Sequence, residues 1–190
     1  MSLHIIFGPM FAGKTTELIN NIQSLLDNII YIKDQNKFLD DILIINHISD
    51  KRYSKNSELC THDNRKMSCL SLNNLNDLFT NSDINIINKK YIFIDEGQFF
   101  SDLYESVKTL LLKHKKQIYI GGLDGDYKQE PFYVSRMFDL IPYASTVKKL
   151  NSKCVDCNAN APFTKRIIQS EEQILVGGSD SYKPVCLNHL

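Results

Sequence analysis

The sequence has no surplus of charge of either sign: 22 Lys+Arg stand against 22 Asp+Glu in 190 residues. A bulk electrostatic grip on DNA or RNA needs a basic excess on one face, so nucleic acid is not an expected partner. A small anion held by a few directed groups stays open. The chain also has no apolar run near the roughly 20 residues that cross a bilayer, and no membrane partner is expected. Its opening, Met1-Ser2-Leu3-His4, lacks the basic region and long apolar stretch of a targeting segment. Cysteine is sparse and odd in number, at Cys60, Cys69, Cys154, Cys157 and Cys186. That fits a reducing compartment better than a disulfide framework, so a cytoplasmic location is expected. No internal repeat or low-complexity linker divides the chain. What is present, 43% hydrophobic and 23% charged residues, is the make-up of a globular protein with one full core and room for a small appendage.

Leu3-His4-Ile5-Ile6-Phe7 reads as a short apolar strand running into Gly8. Beyond Lys14, Leu18, Ile19, Ile22, Leu25 and Leu26 recur at helical spacing. That spacing continues to Ile29 and Ile30, so the helix overruns or Ile29–Ile32 forms a strand, and periodicity leaves the choice open. Ile42–Ile45, Tyr91–Ile94, Ile118–Ile120 and Thr146–Val147 read as buried parallel strands. Helices are predicted over about Asp102–His114 and Val134–Leu140, and the Asn-rich stretch Asn73–Asn88 as a surface connection. Strands alternating with helices predict an α/β fold with a mostly parallel sheet. After Leu150 the chain turns polar, cysteine-bearing and weakly periodic. The expected division is therefore an α/β domain over 1–150 and a small C-terminal domain over 151–190.

Gly8-Pro9-Met10-Phe11-Ala12-Gly13-Lys14-Thr15 fits the G-x-x-x-x-G-K-[ST] pattern. Chance alone yields that pattern in roughly 1% of chains of this length, and this copy also follows a strand and opens a helix. The glycines let backbone N–H groups turn toward phosphate oxygens, and the helix adds its N-terminal dipole. Lys14 is then expected at the β/γ-phosphates and the Thr15 hydroxyl on Mg²⁺. Asp95 and Glu96 close the strand Tyr91–Ile94. By itself such a pair can simply begin a solvated turn. Downstream of a phosphate loop, Asp95 is expected to hold Mg²⁺ and Glu96 to act as general base or to position water.

Cys154-x-x-Cys157 and Cys186-x-x-His189 are two close pairs separated by a longer loop, the spacing of a closed Cys₃His zinc site. With four protein ligands such a zinc is structural, and it would supply folding energy to a unit too small for a core of its own. Cys60 and Cys69 lack comparable partners and read as packing residues. The loop between the metal pairs, with Gly177-Gly178 and Tyr182, is pinned at both ends and suits a lid. Because the phosphate loop lies in the other unit, zinc loss is expected to spare binding there.

With these parts in place the chain resembles the zinc-bearing P-loop thymidine kinases, the cellular and poxvirus type rather than the herpesvirus type. The resemblance is carried by Gly8 to Leu18, Asp50-Lys51-Arg52-Tyr53-Ser54, Thr61-His62-Asp63 and Asp95-Glu96-Gly97-Gln98-Phe99-Phe100. It continues through Gly122-Leu123-Asp124-Gly125-Asp126-Tyr127, Phe163-Thr164-Lys165-Arg166, Gly177-Gly178 and Tyr182. It implies a P-loop NTPase-like sheet and a lasso-bearing zinc domain, with transfer from ATP-Mg to the thymidine 5′-hydroxyl. It further implies Glu96 as proton acceptor, and Asp50, Lys51, Arg52, Asp95 and Gln98 with the P-loop on the ATP side. Met10, Phe99, Leu123, Tyr127, Phe132, Thr164, Gln173, Ile174, Leu175, Val176, Gly177 and Tyr182 would enclose the nucleoside. A homotetramer and feedback inhibition by thymidine triphosphate are implied in the same way.

Three departures stand out. Leu187 replaces the arginine of the family's Cys-Arg-x-[Cys/His] ending, the stretch from Lys14 to Asp50 is longer by roughly ten residues, within the tolerance of a surface insertion, and only one residue follows His189. The alternative reading is a zinc-bearing P-loop ATPase acting on nucleic acid, which would show DNA-stimulated ATP hydrolysis and basic stripes. A vestigial binding module would show damage at Lys14 or Glu96, and both are intact.

Overall fold

The structure, a computed structural model, describes residues 1–29, 39–50, 58–60 and 66–190, without the side chains of 28–29, 58–60 and 66. Its centre is a six-stranded sheet built from β1 (Ser2–Gly8), β2 (Ile42–His47), β5 (Leu70–Leu72), β6 (Tyr91–Ile94), β7 (Gln117–Leu123) and β8 (Thr146–Lys149). The strand order is β5-β2-β6-β7-β1-β8 and each pairing is parallel. A parallel sheet needs crossovers, and crossovers cover both faces, so both faces must be apolar. The period of two sorts the side chains accordingly. Ile6, Ile42, Ile44, Tyr91, Phe93 and Tyr119 face α1 (Lys14–Ile29) through Leu18, Ile19 and Ile22. Leu3, Ile5, Phe7, Ile45, Ile92, Ile94, Ile118 and Ile120 form the opposite core with Leu103, Val107, Leu110 and Met137.

The expected strands are present, β2 and β7 each reaching further than their apolar runs, but β8 is not buried as expected: it is an edge strand and all four of its residues are exposed. α1 ends at Ile29, and the alternative strand at Ile29–Ile32 lies almost wholly outside the described residues, as do Lys51, Arg52 and the segment Thr61-His62-Asp63. The helix expected from Asp102 is α3 (Leu103–Lys108) prolonged by a wider π turn over Thr109–Lys113, which buries both Leu110 and Leu111. The helix expected over Val134–Leu140 is corrected to a 3₁₀ segment, Met137–Tyr143. Arg136 adopts φ 52, which no right-handed helix accommodates, and Pro142 removes a donor further on. The stretch 73–88 is also more than a surface connection. It contains the short α2 (Asp77–Thr80) and buries Leu75, Leu78 and Ile86. β3 (Glu58–Cys60) and β4 (Lys66–Ser68) form an antiparallel pair that no apolar pattern announced.

After Leu150 the elements shrink to β9 (Ser152–Lys153) with β10 (Asn160–Ala161), and β11 (Phe163–Arg166) with β12 (Tyr182–Val185). Their shared core is only Cys154, Ala161, Val185 and Cys186, with Phe163 against it. So small a cluster buries too little apolar surface to hold a fold alone. Among the described residues no helix is long and apolar enough to cross a membrane.

Candidate active site

Open parallel sheets bind ligands beyond the C-terminal ends of their strands, and here β1, β2, β6 and β7 deliver Gly8, Asp50, Asp95 and Leu123 to that end. The phosphate loop turns on two left-handed residues, Gly13 at φ +81 and Phe11 at φ 63. Lys14 opens α1 and is buried, its Nζ donating to the Pro9 carbonyl at 2.7 Å. The Thr15 hydroxyl donates to Asp95 Oδ2 at 2.7 Å although β7 lies between β1 and β6. Gly121 makes that approach possible, because a Cβ there would meet Leu18 Cδ1 at 2.8 Å and Asp95 Oδ1 at 3.1 Å.

Burial, then the neighbouring Glu96 carboxylate, raise the Asp95 pKa to about 7, against the Thr15 hydrogen bond; Asp50 adds to the rise. The Asp95 carboxylate and the Thr15 hydroxyl bonded to it are oxygen donors of the kind a hard divalent cation such as Mg²⁺ takes. Glu96 lies one residue beyond, at φ 54, and this left-handed turn carries its side chain off the strand alternation. Gln98 is fully buried behind it. The Gln98 amide oxygen accepts from the Leu123 N–H at 2.9 Å, and its amide nitrogen donates to Glu96 Oε2 at 2.5 Å. Asp50 is tied by Asn46 Nδ2 at 3.2 Å.

A cleft of about 510 Å³, its open mouth included, runs from Met10 and Glu96 to the C-terminal unit. All twelve residues that the family resemblance set around a nucleoside line it, together with Asp50. One wall is aromatic, with Phe99 and Phe132 edge to face at 6.2 Å and Tyr182 buried. Ser49, Gly125 and Asp126 line it too. For Gly125 and Asp126 the signal was available, since both belong to the motif that ends at Tyr127. Ser49 had none. Asp126 holds the loop by accepting from Gln173 Nε2 at 2.9 Å.

The cysteine–histidine cluster is assembled. The ligand atoms of Cys154, Cys157, Cys186 and His189 all lie within 4.8 Å of one another. Cys154 Sγ and Cys186 Sγ stand 3.6 Å and 3.2 Å from His189 Nδ1, and Cys157 Sγ stands 3.6 Å from Cys186 Sγ. Tetrahedral zinc with ordinary bond lengths sets such edges at about 3.5–3.8 Å; two of these separations fall there and the third is shorter, so the cluster is compatible with a structural zinc. Burial pushes the Cys154 thiol up, but backbone N–H groups of Cys186, Asp156 and Cys157 outweigh it and hold it at about 6. A thiolate is what a metal requires. Cys69 is half-buried against the α1-side core, and the Cys60 side chain lies outside the described residues.

The C-terminal segment also touches the phosphate loop. Thr164 Oγ1 accepts from the Met10 N–H at 2.9 Å, and Ser152 Oγ donates to the Phe11 carbonyl at 3.2 Å. Two hydrogen bonds thus join this segment to the phosphate loop, a link that chain division alone did not suggest. On the family resemblance, Cys157→Ser is expected to lose zinc and to weaken thymidine binding about tenfold or more, with a smaller loss of affinity for an ATP analogue. Metal content and both affinities, measured on one preparation, check this, and unchanged thymidine affinity in zinc-free protein would refute it.

A family model described as thymidine kinase matches residues 1–190. The chain is similar to "Thymidine kinase" of Yaba monkey tumor virus (strain VR587), 36% identical over 184 residues, 97% of this chain and 91% of the viral protein. It is similar to "Thymidine kinase a" of Arabidopsis thaliana, 36% identical over 189 residues, 99% of this chain and 74% of the plant protein. Against "Thymidine kinase, cytosolic" of Homo sapiens it is 34% identical over 184 residues, 97% of this chain and 70% of the human protein.

Proposed function

The chain belongs to the thymidine kinase family, and we propose that it transfers the γ-phosphoryl group of ATP to the 5′-hydroxyl of thymidine, giving ADP and thymidine monophosphate. The observation that carries this reading is the continuity of the site: one cleft is lined at one end by Met10 of the phosphate loop and Glu96, and at the other by Leu175, Val176 and Tyr182. A donor and an acceptor meet there across Glu96.

Phosphoryl transfer has a loose transition state, so the protein supplies alignment and charge rather than covalent chemistry. Glu96 accepts the proton of the 5′-hydroxyl as the O5′–Pγ bond forms. The bond from Pγ to the bridging oxygen breaks, and its electron pair leaves with ADP. Lys14 and the loop amides face the charge that develops on the phosphate oxygens. Asp95 and Thr15 would hold Mg²⁺, which supplies charge neutralisation on the triphosphate when bound. The loop Gln173–Gly177 encloses the base and excludes water as a competing acceptor. A zinc domain over 151–190, a cytosolic location and a homotetramer complete the proposal.

Labelled ATP offered to thymidine, deoxyuridine and deoxycytidine tests the reaction, with transfer to thymidine expected. DNA-stimulated hydrolysis without transfer to any nucleoside would overturn it. Thymidine triphosphate should inhibit competitively with thymidine, because its base and its phosphates address the two ends of one cleft. Unchanged turnover at millimolar triphosphate would refute that.

A further inference from the structure

The segment Phe163-Thr164-Lys165-Arg166 has a member that the reaction leaves without a role. Arg166 is 9% exposed, and its guanidinium is matched donor for donor. Nη1 donates to the carbonyls of Ser170 and Glu172 at 2.9 and 2.6 Å. Nη2 donates to the Gln173 carbonyl at 3.2 Å and to Tyr182 Oη at 2.8 Å, and Nε reaches the same hydroxyl at 3.2 Å. A guanidinium has five N–H donors in a rigid fork, and all five are used here on neutral oxygens. The plane also lies over the Tyr127 ring, 3.8 Å from its centroid.

These contacts extend outward. Tyr182 Oη, held by Arg166, donates to the Leu175 carbonyl at 2.7 Å. Tyr127 Oη donates to the Glu171 carbonyl at 3.3 Å. Carbonyls at 170, 171, 172, 173 and 175 are thus fixed by Arg166 or by a tyrosine against it, in a segment with no regular secondary structure. Gln173, Ile174, Leu175, Val176 and Tyr182 line the cleft, whereas Arg166 does not. Strand alternation links this to the phosphate end: Thr164, two residues back on the same face of β11, accepts from Met10 N–H, while Lys165 on the other face donates to the carbonyls of His189 and Leu190.

We infer that Arg166 is the positioning residue of the nucleoside loop, preshaping 170–176 by tying its carbonyls and Tyr182 before substrate arrives. The inference rests on the reading of this cleft as the thymidine site. A loop held in its bound shape spares ordering entropy at each binding event. Lysine cannot substitute, since an ammonium has three donors and no plane to lay on Tyr127.

Arg166→Lys and Arg166→Ala should raise the thymidine KM roughly tenfold to a hundredfold, leave kcat within about threefold, and retain zinc. Amide exchange at 170–176 should accelerate in the variants without any nucleoside present. Guanidinium ion should lower the KM of Arg166→Ala but not that of Arg166→Lys. A wild-type KM with unchanged exchange would overturn the inference, as would equal loss of kcat, zinc and ATP-analogue affinity, the signature of a purely structural arginine. If wild-type protein transferred nothing to thymidine, the reading of the cleft would fail, while the exchange comparison would still decide whether Arg166 orders the loop.

Discussion

A Lys14→Ala variant is expected to fold as the parent does and to lose transfer by about 10³-fold or more, the scale of removing a directed charge from a phosphoryl-transfer site. The residue is the first of α1, and its backbone continues the helix whatever the side chain. Alanine is the best helix former, so local structure has no reason to change. Lys14 belongs to neither core cluster, and its Nζ donates to Pro9, a carbonyl of the same loop. Losing that charge-assisted bond costs about 1.5–3 kcal/mol, less than the roughly 5–15 kcal/mol that holds a folded domain. The charge is another matter, because it sits on an apolar stem where the triphosphate must lie. Thermal unfolding beside a single-turnover assay separates the two effects. Near-normal turnover in a folded Lys14→Ala protein would show that phosphate is cradled elsewhere.

Glu96→Gln should depress kcat by roughly 10²–10⁴-fold, the usual weight of a general base, with the thymidine KM close to that of the parent. The substitution keeps size and shape. Gln98 still finds an acceptor, since the new amide offers its oxygen to the nitrogen that now donates to Glu96 Oε2. What disappears is a carboxylate able to take the 5′-hydroxyl proton. A kcat within a few-fold of the parent would move the base to Asp95 or Asp50, both near enough to act electrostatically on the same site.

Much of this was legible because it is local. The phosphate loop, the acidic pair and the metal pairs are short-range patterns whose spacing encodes their geometry, and the strand runs from Leu3, Ile42, Tyr91 and Ile118 follow from apolar length alone. The nucleoside wall was different. Tyr127 and Tyr182 came only from family resemblance, since a lone tyrosine carries no periodicity to mark it. Arg166 stood in a quoted motif without a task, because its acceptors are three loop carbonyls and the Tyr182 hydroxyl, a meeting that sequence does not display. The broken helix near Arg136 was missed for a related reason, as a left-handed arginine has no compositional sign. Gln98 was grouped with the ATP side by resemblance, and its contacts with Glu96 and Leu123 needed coordinates.

The left-handed backbone at Phe11 and Glu96 bears on how this protein would respond to selection. Each holds a non-glycine residue where an L side chain costs about 1–3 kcal/mol, and each lies where phosphate or proton must be handled. A library screened for heat resistance alone should therefore enrich glycine or asparagine at position 11, whereas at position 96 the relief is offset by the acceptor that the buried Gln98 amide would lose.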